Sequence, residues 1–311
     1  METTIFNSLP VQYLTNPEHR IFYYYLLSSF VMAYLFFIFS KKPKNTNGFF
    51  SYFFNPKVLF HPSSRTDLYL FLFNFWVKAF LIAPIIFTQV KIIHLVKNSL
   101  ESFFPTHNAI YLSFIPYSVL YTFIFFITAD FSRFIIHYAF HKISFLWEIH
   151  KVHHSAKVLT PLTLYRIHPI ESIVSLARQI LVVGFVAGVF SFFINGDYPI
   201  LTVLGVQIFG FLFNFFGSNL RHSHVPFSFG YYLESIFISP IMHQTHHSKA
   251  YKYNSKNLGS CLAIWDILFK SYLRPDAKPI RFGLSRSQRK KNWATYLLNP
   301  LIIFDKAKQK L

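Results

Sequence analysis

The sequence predicts an all-α protein, a multi-pass transmembrane helical bundle with a cytosolic helical cap that carries a histidine-rich metal site. Three observations predict it. Hydrophobic residues make up 53% of the 311 and charged residues only 14%, well below the roughly 25% charged of an ordinary soluble domain. The Lys and Arg are bunched: residues 218–311 hold 15 of the 30, and Lys41, Lys42, Lys44, Lys57 and Arg65 supply five more. The 15 His outnumber the 12 acids. A chain with 41 Phe against 10 Gly is neither disordered nor collagen-like. A lone cysteine, Cys261, excludes an intramolecular disulfide framework and any multi-thiolate metal site. The net charge of +18 would suggest nucleic acid in a soluble protein, but basic loops between apolar runs are the pattern of a membrane protein facing anionic lipid. No nucleic-acid partner is expected.

A helix needs about 20 apolar residues to cross a hydrocarbon layer of about 30 Å. Residues 21–40 carry no charge and form the first expected crossing, read as a membrane span and not a cleaved leader. The second, 68–93, contains Lys78, which must face protein or snorkel. The third, 110–128, is uncharged; the fourth, 173–194, contains Arg178, read as snorkelling or packing; the fifth, 200–216, is short but uncharged. Asn195-Gly196-Asp197-Tyr198-Pro199 reads as the turn between the last two. Five basic residues follow the first crossing and one, Arg20, precedes it, so the N-terminus is expected outside, with 129–172 and 218–311 on the cytosolic side. The expected organisation is an N-terminal transmembrane region (1–128), a catalytic region (129–275) that includes a transmembrane hairpin at about 173–216, and a basic cytosolic tail (276–311) whose Arg289, Lys290 and Lys291 would rest on anionic headgroups.

Almost every His cluster falls on that cytosolic side. They read His137-x-x-x-His141, His150-x-x-His153-His154 and His243-x-x-His246-His247. Positions i, i+3 and i+4 share one helix face, so each cluster can aim two or three imidazoles at one point. About 0.03 copies of HxxHH are expected by chance in such a chain; two are present. Eight imidazoles are too many for one ion and fit two. His222 and His224 are further candidates, of which geometry allows one, His222 being slightly favoured. The scattered His19, His61, His94 and His107 read as satisfied interfacial residues. An all-imidazole site suits Fe, Zn or Cu and not Mg or Ca. Oxidation of unactivated C–H bonds in lipid requires a redox metal with dioxygen, which zinc is not.

The clusters, in this order and spacing, resemble the sterol desaturase and fatty acid hydroxylase superfamily. Leu146-Trp147, Arg166-Ile167-His168-Pro169-Ile170-Glu171, Asn219-Leu220-Arg221-His222-Ser223-His224, Ser239-Pro240 and the stretch from Leu262 to Phe269 are similar too. The resemblance covers roughly residues 129–275. Lys270-Ser271-Tyr272 departs from it, standing where many members have Gly-Thr-Tyr. Residues 1–108 carry no motif of the family.

The resemblance implies a membrane-bound non-haem diiron oxygenase. It would use O2 and an external electron donor to hydroxylate or desaturate a sterol or fatty acyl lipid drawn from the bilayer. The implied ligands of two iron ions are His137, His141, His150, His153, His154, His243, His246 and His247, with His222 or His224 completing the set. Asp266, Glu171 and His168 are candidates to hold a ligand's free ring nitrogen, with Asn257 behind them. No bound haem or flavin is expected, so electrons would come from a separate cytochrome b5-like, ferredoxin-like or reductase protein. The bacterial inner membrane or the endoplasmic reticulum would house it. Two other readings compete: a zinc or non-catalytic membrane metalloprotein using the same histidines for hydrolysis or metal storage, and a basic membrane scaffold binding through residues 270–311.

Overall fold

The computed structural model describes residues 10–40, 48–105, 113–194, 199–253, 255–275, 281–285, 288 and 294–298. The turn Asn195–Tyr198 and most of the basic tail, including Arg289, Lys290 and Lys291, lie outside the described residues, as does His107.

The apolar runs fold as helices: α1 (Tyr23–Phe39), α2 (Pro62–Phe103), α3 (Phe114–Lys142), α4 (Ser144–His154) and α5 (Pro169–Phe193). A two-stranded hairpin follows, β1 (Thr202–Val203) and β2 (Val206–Gln207), then α6 (Ile208–Phe215), α7 (Pro240–His246) and α8 (Ile264–Leu268). Chemistry at the starts is legible. Pro62 and Pro169 occupy first helical turns, where a missing N–H costs nothing. His61 and His168 cap those helices by accepting through Nδ1 from Ser63 N at 3.0 Å and Ile170 N at 3.1 Å. His61 is therefore a helix cap, and His19 stacks on Tyr13 at 3.8 Å.

α2, α3 and α5 form the trunk. α2 and α5 run parallel: Asn74 on α2 donates to Ile167 O at 2.9 Å just before α5, and further along Gly184 and Gly188 of α5 seat Ile92 and Val96 of α2. Without side chains at those two glycines, four residues apart, the backbones approach closely, as in GxxxG packing. α3 runs antiparallel to α5, with Tyr121 stacked on Phe190 at 4.6 Å and Arg178 donating to Ser132 Oγ at 2.9 Å near the other end. Arg178 thus spends a guanidinium donor on a neighbouring helix.

α3 and α5 are long and apolar enough to cross a membrane. The expected fifth crossing is different: residues 202–207 make the small hairpin and only eight residues of α6 are helical. Eight residues rise about 12 Å, too little to cross. Leu204 and Gly205, at φ of 52° and 79°, form the tight turn that ends extended chain there. α1, with 17 residues, is shorter than the other two apolar helices, α3 and α5, and its flanks are tied to the cap. The carbonyl of Arg20 before it accepts from Asn219 Nδ2 at 2.7 Å, and that of Tyr52 after it accepts from His224 Nε2 at 2.7 Å. Both flanks of α1 therefore hold one six-residue segment, and the helix lies alongside it.

Buried carboxylates join the trunk to the cap. Asp67 on α2 pairs with Arg166 Nη1 at 2.9 Å and accepts from Thr163 Oγ1 at 2.6 Å. Arg166 also donates through Nε to Val152 O at 3.1 Å and through Nη2 to Ser155 Oγ at 2.8 Å, which fixes the end of α4. Asp130 on α3 accepts from Cys261 N, Leu262 N and Trp265 Nε1 at 2.9 to 3.0 Å. These charges are tolerable away from water because their lone pairs are filled.

Candidate metal centre

The three clusters and His222 meet. Two groups of imidazoles form, each with its nitrogens within 4.8 Å of one another: His137, His141, His150, His154 and His246 in one, and His153, His222, His243 and His247 in the other. Each HxxHH motif is split. On α4, His150 and His154 enter the first group and His153 the second; on α7, His243 and the adjoining His247 enter the second and His246 the first. Residues i and i+4 share one stripe of a helix while i+3 points to its flank, so two such helices exchange their middle imidazole. The groups abut, with His154 stacked on His247 at 4.6 Å.

Outer partners fix the ring orientations. His137 donates through Nδ1 to Leu258 O at 2.7 Å, His246 through Nδ1 to Lys256 O at 2.9 Å, and His150 through Nδ1 to Glu171 Oε1 at 2.9 Å. A ring that donates through Nδ1 presents a bare Nε2 lone pair inward. In the second group the Nε2 atoms face each other: His222 lies 3.1 Å from His243, 3.2 Å from His247 and 3.4 Å from His153, and His243 lies 3.2 Å from His247. Neutral imidazoles cannot all donate to one another there. In the first group Nε2 of His154 and His246 and both nitrogens of His141 are buried with no hydrogen-bond partner among the described residues. Converging, unpartnered, buried lone pairs are what a cation would satisfy. Burial also keeps the rings neutral, pushing His150 and His153 down to about 3 and His222, His243 and His247 well below the usual value. The residues present therefore fit two soft or borderline metal ions held by nitrogen.

Four candidates land elsewhere. His224 lies outside both groups, its Nε2 donating to Tyr52 O at 2.7 Å beyond the extended Ser223. Asp266 touches no imidazole; it accepts from Leu258 N and Gly259 N, each at 2.7 Å, and from Ser271 Oγ at 2.6 Å, and so supports the loop that offers Leu258 O to His137. His168 caps α5 and donates through Nε2 to Leu297 O at 2.9 Å. Asn257, at φ of 54°, donates through Nδ2 to Met242 O at 3.2 Å and Leu273 O at 2.8 Å, holding the two carbonyls on either side of it, Lys256 and Leu258. Asp67, Asp130 and these backbone carbonyls were not foreseen from the sequence. Asp130, a lone acid in an apolar helix, was the available signal.

One cavity reaches the centre and a second lies beyond the 259–262 stretch. The first, of about 420 Å3, is lined by His137, His150, His153, His222 and His243 and by several basic residues. The second, of about 540 Å3, is almost wholly apolar, lined by Phe126, Phe209, Phe213 and neighbours. Gly259 and Ser260 line the first and Cys261 and Leu262 the second. Burial pushes the Cys261 thiol up to about 12, so it is no thiolate ligand.

Residues 122–271, which contain all nine grouped imidazoles, match the model of the fatty acid hydroxylase family. Over this region the chain is similar to the fatty acid hydroxylase family, in line with the superfamily resemblance carried by its histidine clusters. The ornithine lipid hydroxylase OlsE of Rhizobium tropici is 29% identical over 153 residues, which is 48% of this chain and 40% of that protein. The chain thus aligns with well under half of that relative's length. No solved structure matches. The chain departs from the superfamily pattern at Lys270, which has φ of 58°, a conformation that glycine adopts freely and lysine does not.

Proposed function

We propose that this chain is a membrane-embedded non-haem diiron hydroxylase acting on a membrane lipid. The observation that carries it is the pair of buried groups of five and four imidazoles with inward lone pairs. Five and four nitrogens leave room at an iron for a further ligand, and two such ions supply the redox chemistry for adding one oxygen atom of O2 to a C–H bond. The balance is R–H plus O2 plus two electrons and two protons giving R–OH and water. In this reading the electrons come from a separate carrier protein. α3 and α5 are the crossing helices in this reading, and the metal groups lie at their cap end on the cytosolic side.

The chain's own residues prepare the site. Glu171, Leu258 O and Lys256 O hold His150, His137 and His246 in the Nδ1–H tautomer. Arg166 anchors the end of α4, and Asn257 and Asp266 the loop that follows α7. The apolar cavity suits a stretch of hydrocarbon chain. The relative's name, ornithine lipid hydroxylase, agrees with a polar membrane lipid as substrate.

The test is metal analysis of anaerobically purified full-length protein, joined to lipid mass spectrometry of cells with and without it under 18O2. Two irons per chain and a lipid gaining one 18O atom are expected. Full zinc occupancy with retained activity overturns the redox reading, and a loss of two hydrogens without oxygen replaces hydroxylation by desaturation.

A further inference from the structure

The cavity of about 420 Å3 that reaches the imidazoles is also lined by Arg20, Lys78, Arg133, Arg178 and Arg221, against the acids Glu18 and Glu171. Glu171 is committed to His150. Among the described residues none of the five cations forms an ion pair. Arg221 is only 2% exposed and its Nε is buried with no hydrogen-bond partner, although its Nη2 donates to Ser260 O. The groups oppose one another: burial first, and then repulsion by Arg20, pull the Arg221 guanidinium down to about 9. Unpaired cations held together in a half-closed cavity cost free energy that an anion would return, and a guanidinium with a free N–H is suited to carboxylate or phosphate oxygens.

We propose that the substrate is an anionic lipid whose carboxylate or phosphate sits in this cavity among these five cations. Resting on the hydroxylase reading, it follows that the oxidised carbon lies within a few bonds of the anionic group, because the same small cavity exposes imidazoles of both groups. A lipid entering methyl-end first would instead put hydrocarbon against five charges.

The test separates the two readings. Binding to the full chain in neutral detergent is measured for decanoate, decyl phosphate, decanol and acetate, using the His247→Ala variant so that turnover plays no part. At least tenfold tighter binding of decanoate or decyl phosphate than of decanol is expected, reduced at least fivefold in Arg133→Gln and in Lys78→Gln and retained in Arg133→Lys. Which of the two anions binds more tightly tells carboxylate from phosphate. Equal binding of decanol overturns the proposal, as does equal binding of acetate and decanoate, which marks a bare anion site. For the active enzyme, fragmentation of the product is expected to place the new oxygen near the anionic group; oxygen near the terminal methyl overturns the placement. Anion binding without any hydroxylation would sink the functional reading and leave the anion site standing.

Discussion

Asn257 does more for the metal groups than its distance from any imidazole suggests. Its side chain ties the loop to Met242 on α7 and to Leu273, and the carbonyls flanking it receive His246 and His137. Alanine at this position would remove three hydrogen bonds and lose the tolerance of asparagine for positive φ. Because outer partners typically set metal affinity by 10- to 100-fold, Asn257→Ala is expected to lower iron affinity by about tenfold while leaving the ligands themselves intact. Titration of metal-free protein with ferrous iron checks it, and unchanged affinity refutes it. The imidazoles were legible in the sequence because helical spacing alone brings i, i+3 and i+4 together. What spacing hides is where each ring goes: the exchange of His153 and His246 between groups depends on how α4 and α7 face each other. The role of Asn257 was hidden for a similar reason, since a backbone carbonyl leaves no mark on a sequence.

At the scale of elements, the trunk is set by where side chains are missing. A Cβ on Gly188 would lie 2.7 Å from Val96 Cβ and 2.9 Å from the Ile93 carbonyl oxygen, and a carbonyl in a helix cannot move aside cheaply. Gly188→Ala is therefore expected to push α2 and α5 apart and destabilise the protein by about 1–3 kcal/mol, the usual cost of overpacking, despite alanine's better helix propensity. Gly210→Ala is the control, since its Cβ would meet only Gln207 Oε1 at 3.5 Å. A thermal shift in detergent that is the same for both variants would remove close packing as the cause. Hydropathy located α1 and α5 to within four residues, whereas α2 and α3 run on ten and fourteen residues past the expected spans 68–93 and 110–128, because apolar runs mark where a helix is covered and not where it ends. It erred at 200–216 because the same apolar composition serves a hairpin and a short helix packed beside α1, and hydropathy does not register the positive-φ turn at Leu204 and Gly205.

Across the whole molecule, the nine imidazoles come from α3, α4, the segment at His222 and the α7 region, so an ion in either group joins parts of the chain that the backbone keeps apart. His222, for instance, is 69 residues from His153 and 25 from His247, yet its Nε2 lies within 3.4 Å of both. Without a cation, inward lone pairs oppose one another and the buried rings lack partners, which works against the hydrophobic packing that assembles the cap. A ligand that binds only the folded state stabilises it by about 2.7 kcal/mol at a hundredfold excess over Kd. Iron-loaded protein is accordingly expected to melt several degrees above the chelated form, with His222→Ala losing most of that increment and His224→Ala keeping it, since His224 binds only Tyr52 O. A Tm that ignores iron, or falls equally in both variants, would mean that the groups are held by packing alone and that the second of them is not a metal site.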